Sequence, residues 1–426
     1  NIIIIVTRSW LEGSQLKIMS FHQRKATQNL APKTMKQAME ETGKDPSLER
    51  TFRGHRGKVH SCSFSPTMTQ LVSGGEDNCL MLWKFQPTLR AFRFVGHKGP
   101  VNHVEFSPTG NLIASASKDR TVRLWLPNPK GESTVLKGHT GAVRCASFSP
   151  DGHKLLTTSD DKTAKLWGLA GRKFLATLQG HTHWVRTAKW SPDGRLVATG
   201  SDDKTVRLWE VQRRQCLHAF FDCAGEVAAV DFSPDGTCLA AGSADRSLKV
   251  WDTRSYTLLQ HYPAHRAPVA AARFHPSGLY LLTASGDSTL KIWDVREGRL
   301  LYTIHGHQGA VGAAAWSKDG AYFSSGGDDN LVMVWKSNLG GGGGGMATGG
   351  MDIGDHSSPQ RATNRQRRSI PSTAPPSHYA EPNTSLITSP PRVSREAEGG
   401  FADIWSERQP DEVSSSEGEA APWEAR

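Results

Sequence analysis

The chain repeats itself every 42 residues, and no other feature constrains its fold as much. Tryptophan stands at 83, 125, 167, 209, 251, 293 and 335, and an aspartate stands six residues before each one. Histidine follows glycine at 55, 97, 139, 181 and 307, and follows alanine at 265. A Ser or Thr lies four residues before the aspartate in six of the seven copies. A fixed period of roughly 20–50 residues marks an array of units, none of which can bury its apolar face alone.

One copy shows the local logic. Residues 180–210 read GHTHWVRTAKWSPDGRLVATGSDDKTVRLWE. Residues 185–190 and 196–199 alternate or run apolar, as strands do, and Ser191-Pro192-Asp193-Gly194 between them is a turn by composition. A second tight turn follows at 201–204, a third strand at 206–209 and a fourth at 216–220. This spacing lets Asp203 accept from its own turn and from His181, His181 reach Thr199, and Thr199 reach the indole N–H of Trp209. A buried polar group needs such closure, because an unmade partner costs about 1–3 kcal/mol.

These side chains resemble the structural tetrad of WD-repeat proteins. The sets are His55, Ser73, Asp77, Trp83; His97, Ser115, Asp119, Trp125; His139, Thr157, Asp161, Trp167; and His181, Thr199, Asp203, Trp209. They continue as His265, Thr283, Asp287, Trp293 and His307, Ser325, Asp329, Trp335. The fifth copy keeps only Asp245 and Trp251, with Asp222-Cys223 in the Gly-His place and Ala241 in the Ser/Thr place. It reads as a drifted blade whose network is lost as a whole, not as a functional Cys223. The resulting fold class is all-β: a seven-bladed WD-repeat β-propeller over 47–339, with disordered N- and C-terminal tails. Residues 48–52 take the place that fourth strands hold before later Gly-His pairs, and the last copy lacks a fourth strand. They are therefore expected to complete the last blade and close the ring.

Composition bounds the rest. Six cysteines at 62, 79, 145, 216, 223 and 238 form no CxxC pair and read as reduced core residues of a cytosolic protein. No run approaches the ~18–20 apolar residues of a membrane span. The ring, 48–339, holds 36 basic and 25 acidic residues, a net +11, against −4 for 340–426. A basic ring favours acidic partners. Residues 1–46 have no sustained period and are expected to lack stable structure. Met39 makes a more natural opening, so 1–38 reads as a leader extension. A six-glycine run at 340–345 precedes a Ser/Pro/Gly-rich tail, expected to be disordered, in which 401–405 (FADIW) is the one aromatic-acidic cluster.

The repeated His/Ser/Asp sets imitate a catalytic triad, but a nucleophile needs one exposed and unique constellation. No phosphate loop, HExxH or ligand spacing is present. Binding by the rims of the ring is the expectation: no catalysis, cofactor, metal, small-molecule substrate or membrane, with nucleic acid disfavoured. Positions beside the Val of GHxxxV should line the channel mouth. There Trp184 is a large aromatic where other copies carry small or polar residues; with Arg186, Arg144 and, from the position before the repeat Asp, Lys118 it forms the candidate partner-binding rim. Packing of Trp184 onto its own blade is the competing expectation.

Beyond the generic repeat, the strings DPSLERTFRGH, LMLWKFQP, SKDRTVRLW, HTHWVRTAKWSPDGRLV, LLQHYPAH, FHPSGLYLLTAS and EGRLLYTIHGH resemble the centriolar WD-repeat proteins of the POC one (proteome of centriole protein one) family. The resemblance covers about 45–336. It implies a non-enzymatic scaffold of centrioles, centrosomes and basal bodies in the cytoplasmic cytoskeleton. Such a scaffold would bind tubulin or microtubules and centriolar scaffold proteins, and support centriole stability and cilium assembly. Family members carry a helical, coiled-coil-like C-terminal segment, and the tail here shows no heptad. The rival expectation is a substrate receptor of a cullin-type ubiquitin ligase, because 251–254 (WDTR) and 293–296 (WDVR) resemble the adaptor-docking WDxR box.

Overall fold

Two-residue apolar alternation, cut by Ser-Pro-Asp-Gly and Asp-centred turns, makes each repeat one antiparallel four-stranded sheet. The computed structural model describes residues 4–8, 45–85 and 89–339, all within a unit spanning 1–346. A second unit, 347–426, lies outside the described residues. The first strands of blades one to seven are Val59–Phe64, Val101–Phe106, Val143–Phe148, Val185–Trp190, Val227–Phe232, Val269–Phe274 and Val311–Trp316. They pack side by side around the axis, and the seventh meets the first. The architecture is the seven-bladed propeller that the period implies.

Each first strand carries an irregularity just after its Val, as between Val185 and Thr187. Such a bulge breaks the two-residue alternation. As a result, the residues one and four places after the Val turn towards the channel in most blades, while those between are buried. The apolar core lies between blades. Leu156, Leu166 and Leu178 of blade three pack with Ala188, Val197 and Trp209 of blade four. Close approach depends on small residues: a Cβ on Gly200 would sit 2.6 Å from Val227 Cγ1 of the next blade.

Closure is non-local. Ser47–Arg53 pairs antiparallel with Leu331–Lys336, and Phe52, buried opposite Val332, stacks on Trp83 at 4.9 Å. Asn338 Nδ2 donates to the Asp45 carbonyl at 2.9 Å.

The leader departs from expectation at four residues. Ile5–Arg8 is a strand, antiparallel to Arg299–His305, and gives blade six a fifth strand. β-branched residues suit a pleated edge, and the outermost strand of a blade offers unpaired backbone groups. Val6 packs against the cluster that holds Tyr302 and Ile304. The expectations for 9–44 and for 340–426, including 401–405, fall outside the described residues. Among the described residues no helix is long and apolar enough to cross a membrane.

Candidate functional site

In blade four Trp209 Nε1 donates to Thr199 Oγ1 at 2.8 Å, the Thr199 hydroxyl meets His181 Nε2 at 2.7 Å, and His181 Nδ1 meets Asp203 Oδ2 at 2.7 Å. The Asp203 carboxylate only accepts, so His181 donates from Nδ1, and that tautomer leaves Nε2 to accept the Thr199 hydroxyl proton while Thr199 accepts the indole N–H. Asp203 also accepts the amides of Thr182 and Thr205 and the Thr205 hydroxyl. Blades one, two, three, six and seven repeat the chain of contacts at 2.7–3.2 Å.

The electrostatics agree with that order. Burial pushes the Asp119 carboxyl up, but hydrogen bonds from Thr121, the Lys98 amide and His97 outweigh it and hold the group at about 2. Burial lowers His97 and His265 below the usual imidazole range despite their aspartates. The hydroxyls of Ser73, Ser115, Thr157, Thr199, Thr283 and Ser325 are fully buried, so no substrate reaches them. In these six blades the networks pin the turn at the head of the blade to its core Trp.

Blade five corrects the sequence reading. Its polar groups are rewired, not lost. Trp251 Nε1 donates to Asp222 Oδ2 at 2.7 Å, and buried Lys249 Nζ donates to Asp245 Oδ2 at 2.9 Å. Cys223 is shorter than histidine, which leaves room for the lysine ammonium to reach the aspartate. In five other blades the position of Asp222 is held by glycine, and in blade six by Ala264; a Cβ on Gly138 would lie 2.6 Å from Trp167. Asp222 was absent from the expected set, although a carboxylate in that Gly-His place was a visible signal. Cys223 is buried, and burial pushes its thiol up to about 12, so it is no nucleophile.

At the channel mouth Trp184 and Arg144 come together, with Arg186 beside them and Lys118 at the equivalent turn of blade two. Trp184 is 38% exposed, and the Arg144 guanidinium lies 5.4 Å from its ring centroid. The His183 ring centroid lies 5.3 Å from that of Trp184. Arg144 grips Asp160 with two bonds of 2.7 Å; Arg186 grips Asp202 through two nitrogens and reaches Glu226 at 3.0 Å. Lys118 is exposed in blade two and enters no ion pair among the described residues. The mouth arginines are thus largely neutralised within the ring, a pairing encoded by Arg and Asp 16 residues apart.

Seven segments match the family described as WD domain, G-beta repeat: 46–84, 89–125, 131–168, 172–210, 214–252, 256–294 and 298–336. The chain is a WD-repeat protein. It is similar to POC1 centriolar protein homolog A of Xenopus tropicalis, 54% identical over 50 residues, 12% of this chain and 11% of the relative. It is also similar to homolog A of Bos taurus, 57% over 49 residues and 12% of each chain, and to homolog B of Xenopus laevis, 55% over 50 residues, 12% of this chain and 11% of the relative. The matches span about an eighth of this chain and a similar share of each relative.

Inside the WD-repeat ring the structure adds a second tier that the sequence reading missed. The position four after each inner Val reads Ser63, Glu105, Ser147, Lys189, Asp231, Arg273 and Ala315. Lys189 of blade four bonds Glu105 of blade two at 2.9 Å, and the Phe274 amide donates to Asp231 at 2.8 Å. These groups line a cavity of about 380 Å³ in the channel. Burial pushes the Asp231 carboxyl up, against Arg273 and Lys189. The repeat position was legible, but facing across the channel exists only once the ring is closed. Among the described residues no group of three or more His, Cys, Asp or Glu is placed to hold a metal.

Proposed function

We propose that this WD-repeat protein is a non-catalytic scaffold of centrioles and basal bodies. In this reading it binds tubulin or microtubules together with centriolar scaffold proteins, and so supports centriole stability and cilium assembly. The observation that carries the binding reading is Trp184, a partly exposed tryptophan at the mouth of a ring with a net charge of +11 over 48–339. The names of the similar proteins direct it to the centriole. Half-exposed aromatics beside arginine are the composition of binding anchors, and tubulin's acidic surface complements a basic ring. Co-sedimentation tests it: the full chain is expected to pellet with microtubules at low salt and to be released as salt rises. Screening shortens from about 10 Å at 0.1 M to about 3 Å at 1 M. Absence of pelleting at low salt, or pelleting indifferent to salt, removes the tubulin reading. Imaging the tagged chain in dividing ciliated cells tests the location, with centriolar spots as the expected result.

Trp184→Ala separates binding from packing. The ring leans on Arg144 and is 38% exposed, so the melting temperature is expected to move little. Microtubule affinity is expected to fall by about 2 kcal/mol, the usual size of an anchor effect. A circular-dichroism melt beside the pelleting assay decides it. A stability loss of about 3–5 kcal/mol, as for a buried Trp, would assign the ring to the core of blade four.

A further inference from the structure

The residue after the repeat Asp closes the turn between second and third strands. In blades one and seven it is Asn78 and Asn330, with φ of 62° and 64°, and in blade six Ser288 at 67°. Asparagine tolerates this left-handed backbone better than other residues with a side chain. In blades two to five the place is taken by Arg120, Lys162, Lys204 and Arg246, with φ of 68°, 67°, 66° and 69°. Four consecutive blades thus depart from the residue that suits the turn, each time to a cation. Periodicity alone does not explain that choice, because the same turn forms with Asn or Ser elsewhere in the ring.

All four side chains are exposed, and none takes part in an ion pair among the described residues. Their backbones are fixed. Each amide donates to the carbonyl three residues earlier, at 3.1–3.2 Å, to Ser117, Ser159, Ser201 and Ser243. The nearest carboxylates are committed elsewhere. The adjacent tetrad aspartates of blades two to four aim at their histidines, and Asp245 at Lys249. Asp160 and Asp202 are held by Arg144 and Arg186. The turns lie on the same face as the candidate rim, since the Asp202 amide donates to the Trp184 carbonyl at 2.9 Å. One face therefore carries neutralised arginines at the mouth and, besides the exposed Arg56, Lys98, Lys118 and Arg266, an arc of unpaired cations at the left-handed turn position of four consecutive blades.

We propose that Arg120, Lys162, Lys204 and Arg246 form the track for an extended, glutamate-rich segment of a polypeptide partner. Such a segment places carboxylates at short, flexible intervals and needs only point charges on a rigid frame, which this arc supplies. Single-stranded nucleic acid asks for aromatic platforms between the cations, and the residues flanking these four are Asp, Ser or Thr. The proposal rests on the tubulin reading for the identity of the acidic segment, not for the existence of the arc.

The decisive variant carries Arg120→Asn, Lys162→Asn, Lys204→Asn and Arg246→Asn in the full chain. Asn already occupies this turn in blades one and seven, so the melting temperature is expected to hold or rise. The probe is a polyglutamate peptide at low salt. The intact chain is expected to bind it with a salt-dependent affinity that falls at least tenfold in the variant. Failure of the intact chain to bind, or equal binding by the folded variant, overturns the proposal. Tighter binding of a single-stranded RNA oligomer than of polyglutamate, lost in the same variant, overturns it in favour of nucleic acid. Pelleting with microtubules is measured alongside. If polyglutamate binding depends on the four cations while neither protein pellets, the arc stands and the tubulin reading falls.

Discussion

Removing residues 48–52 is expected to lower the melting temperature by well over 10 °C, or to abolish a cooperative transition. The segment supplies the outer strand of blade seven, pairing along Leu331–Lys336. Phe52 is buried and stacked on Trp83 of blade one, so the loss reaches two blades. Truncating one buried Phe costs about 3–5 kcal/mol, a large share of the 5–15 kcal/mol that holds a typical domain together. The deletion also frees the backbone edge of the seventh blade and unlinks it from the start of the chain. Deletion of residues 5–8 is the matched control. Those residues also add one strand, but to a blade that already has four, and Ile5 is 50% exposed. Their loss is expected to shift the melt by only a few degrees. A thermal scan of both deletions is the measurement; similar shifts would show that closure does not depend on the 48–52 strand.

The contrast between these two strands marks what could be read from the sequence. Residues 48–52 were assignable because they match a place in the repeat, directly before Gly54-His55. Ile5–Arg8 matches no place in the repeat, and its partner Arg299–His305 is about 300 residues away. Only the closed ring shows that blade six has an edge free to receive it. The same distinction holds at the site. The periodic quartets were legible because each is encoded within one copy, at separations of 18, 22 and 10 residues. Glu105 and Lys189 are separated by two copies, 84 residues, and meet only across the channel. Their partnership, like that of Arg144 with Asp160, leaves the net charge unchanged and decides which cations stay free to meet a partner. Sequence arithmetic counts charges, whereas a partner meets only the unpaired ones. On this face those include the turns of blades two to five, where the departure from Asn was visible in the sequence once aligned by its own period.

Asp203→Ala is the second large effect. In the intact blade Asp203 accepts from His181, from two amides and from Thr205. Its loss leaves several donors facing one another in a buried turn, and each unmade partner costs about 1–3 kcal/mol. The relay through His181 and Thr199 to Trp209 then has no terminal acceptor, so the cost exceeds that of a single bond. The parallel change in blade five, Ala241→Thr, restores the hydroxyl that six other blades possess. It is nevertheless expected to gain nothing. The Trp251 indole is already committed to Asp222, and Cys223 offers the new hydroxyl no imidazole acceptor. Ala241 is fully buried, so the added hydroxyl enters a packed site without its usual donor and acceptor. Asp222→Ala, by contrast, strands the Trp251 N–H and is expected to cost about 1–3 kcal/mol in a blade that looks degenerate by sequence. Denaturant melts of the three variants give the order: Asp203→Ala and Asp222→Ala destabilise, while Ala241→Thr is neutral or slightly unfavourable. A clear gain from Ala241→Thr would mean that Trp251 prefers the ordinary hydroxyl acceptor and that Asp222 is incidental. The rewired network of the fifth blade would then not be what holds it in the ring.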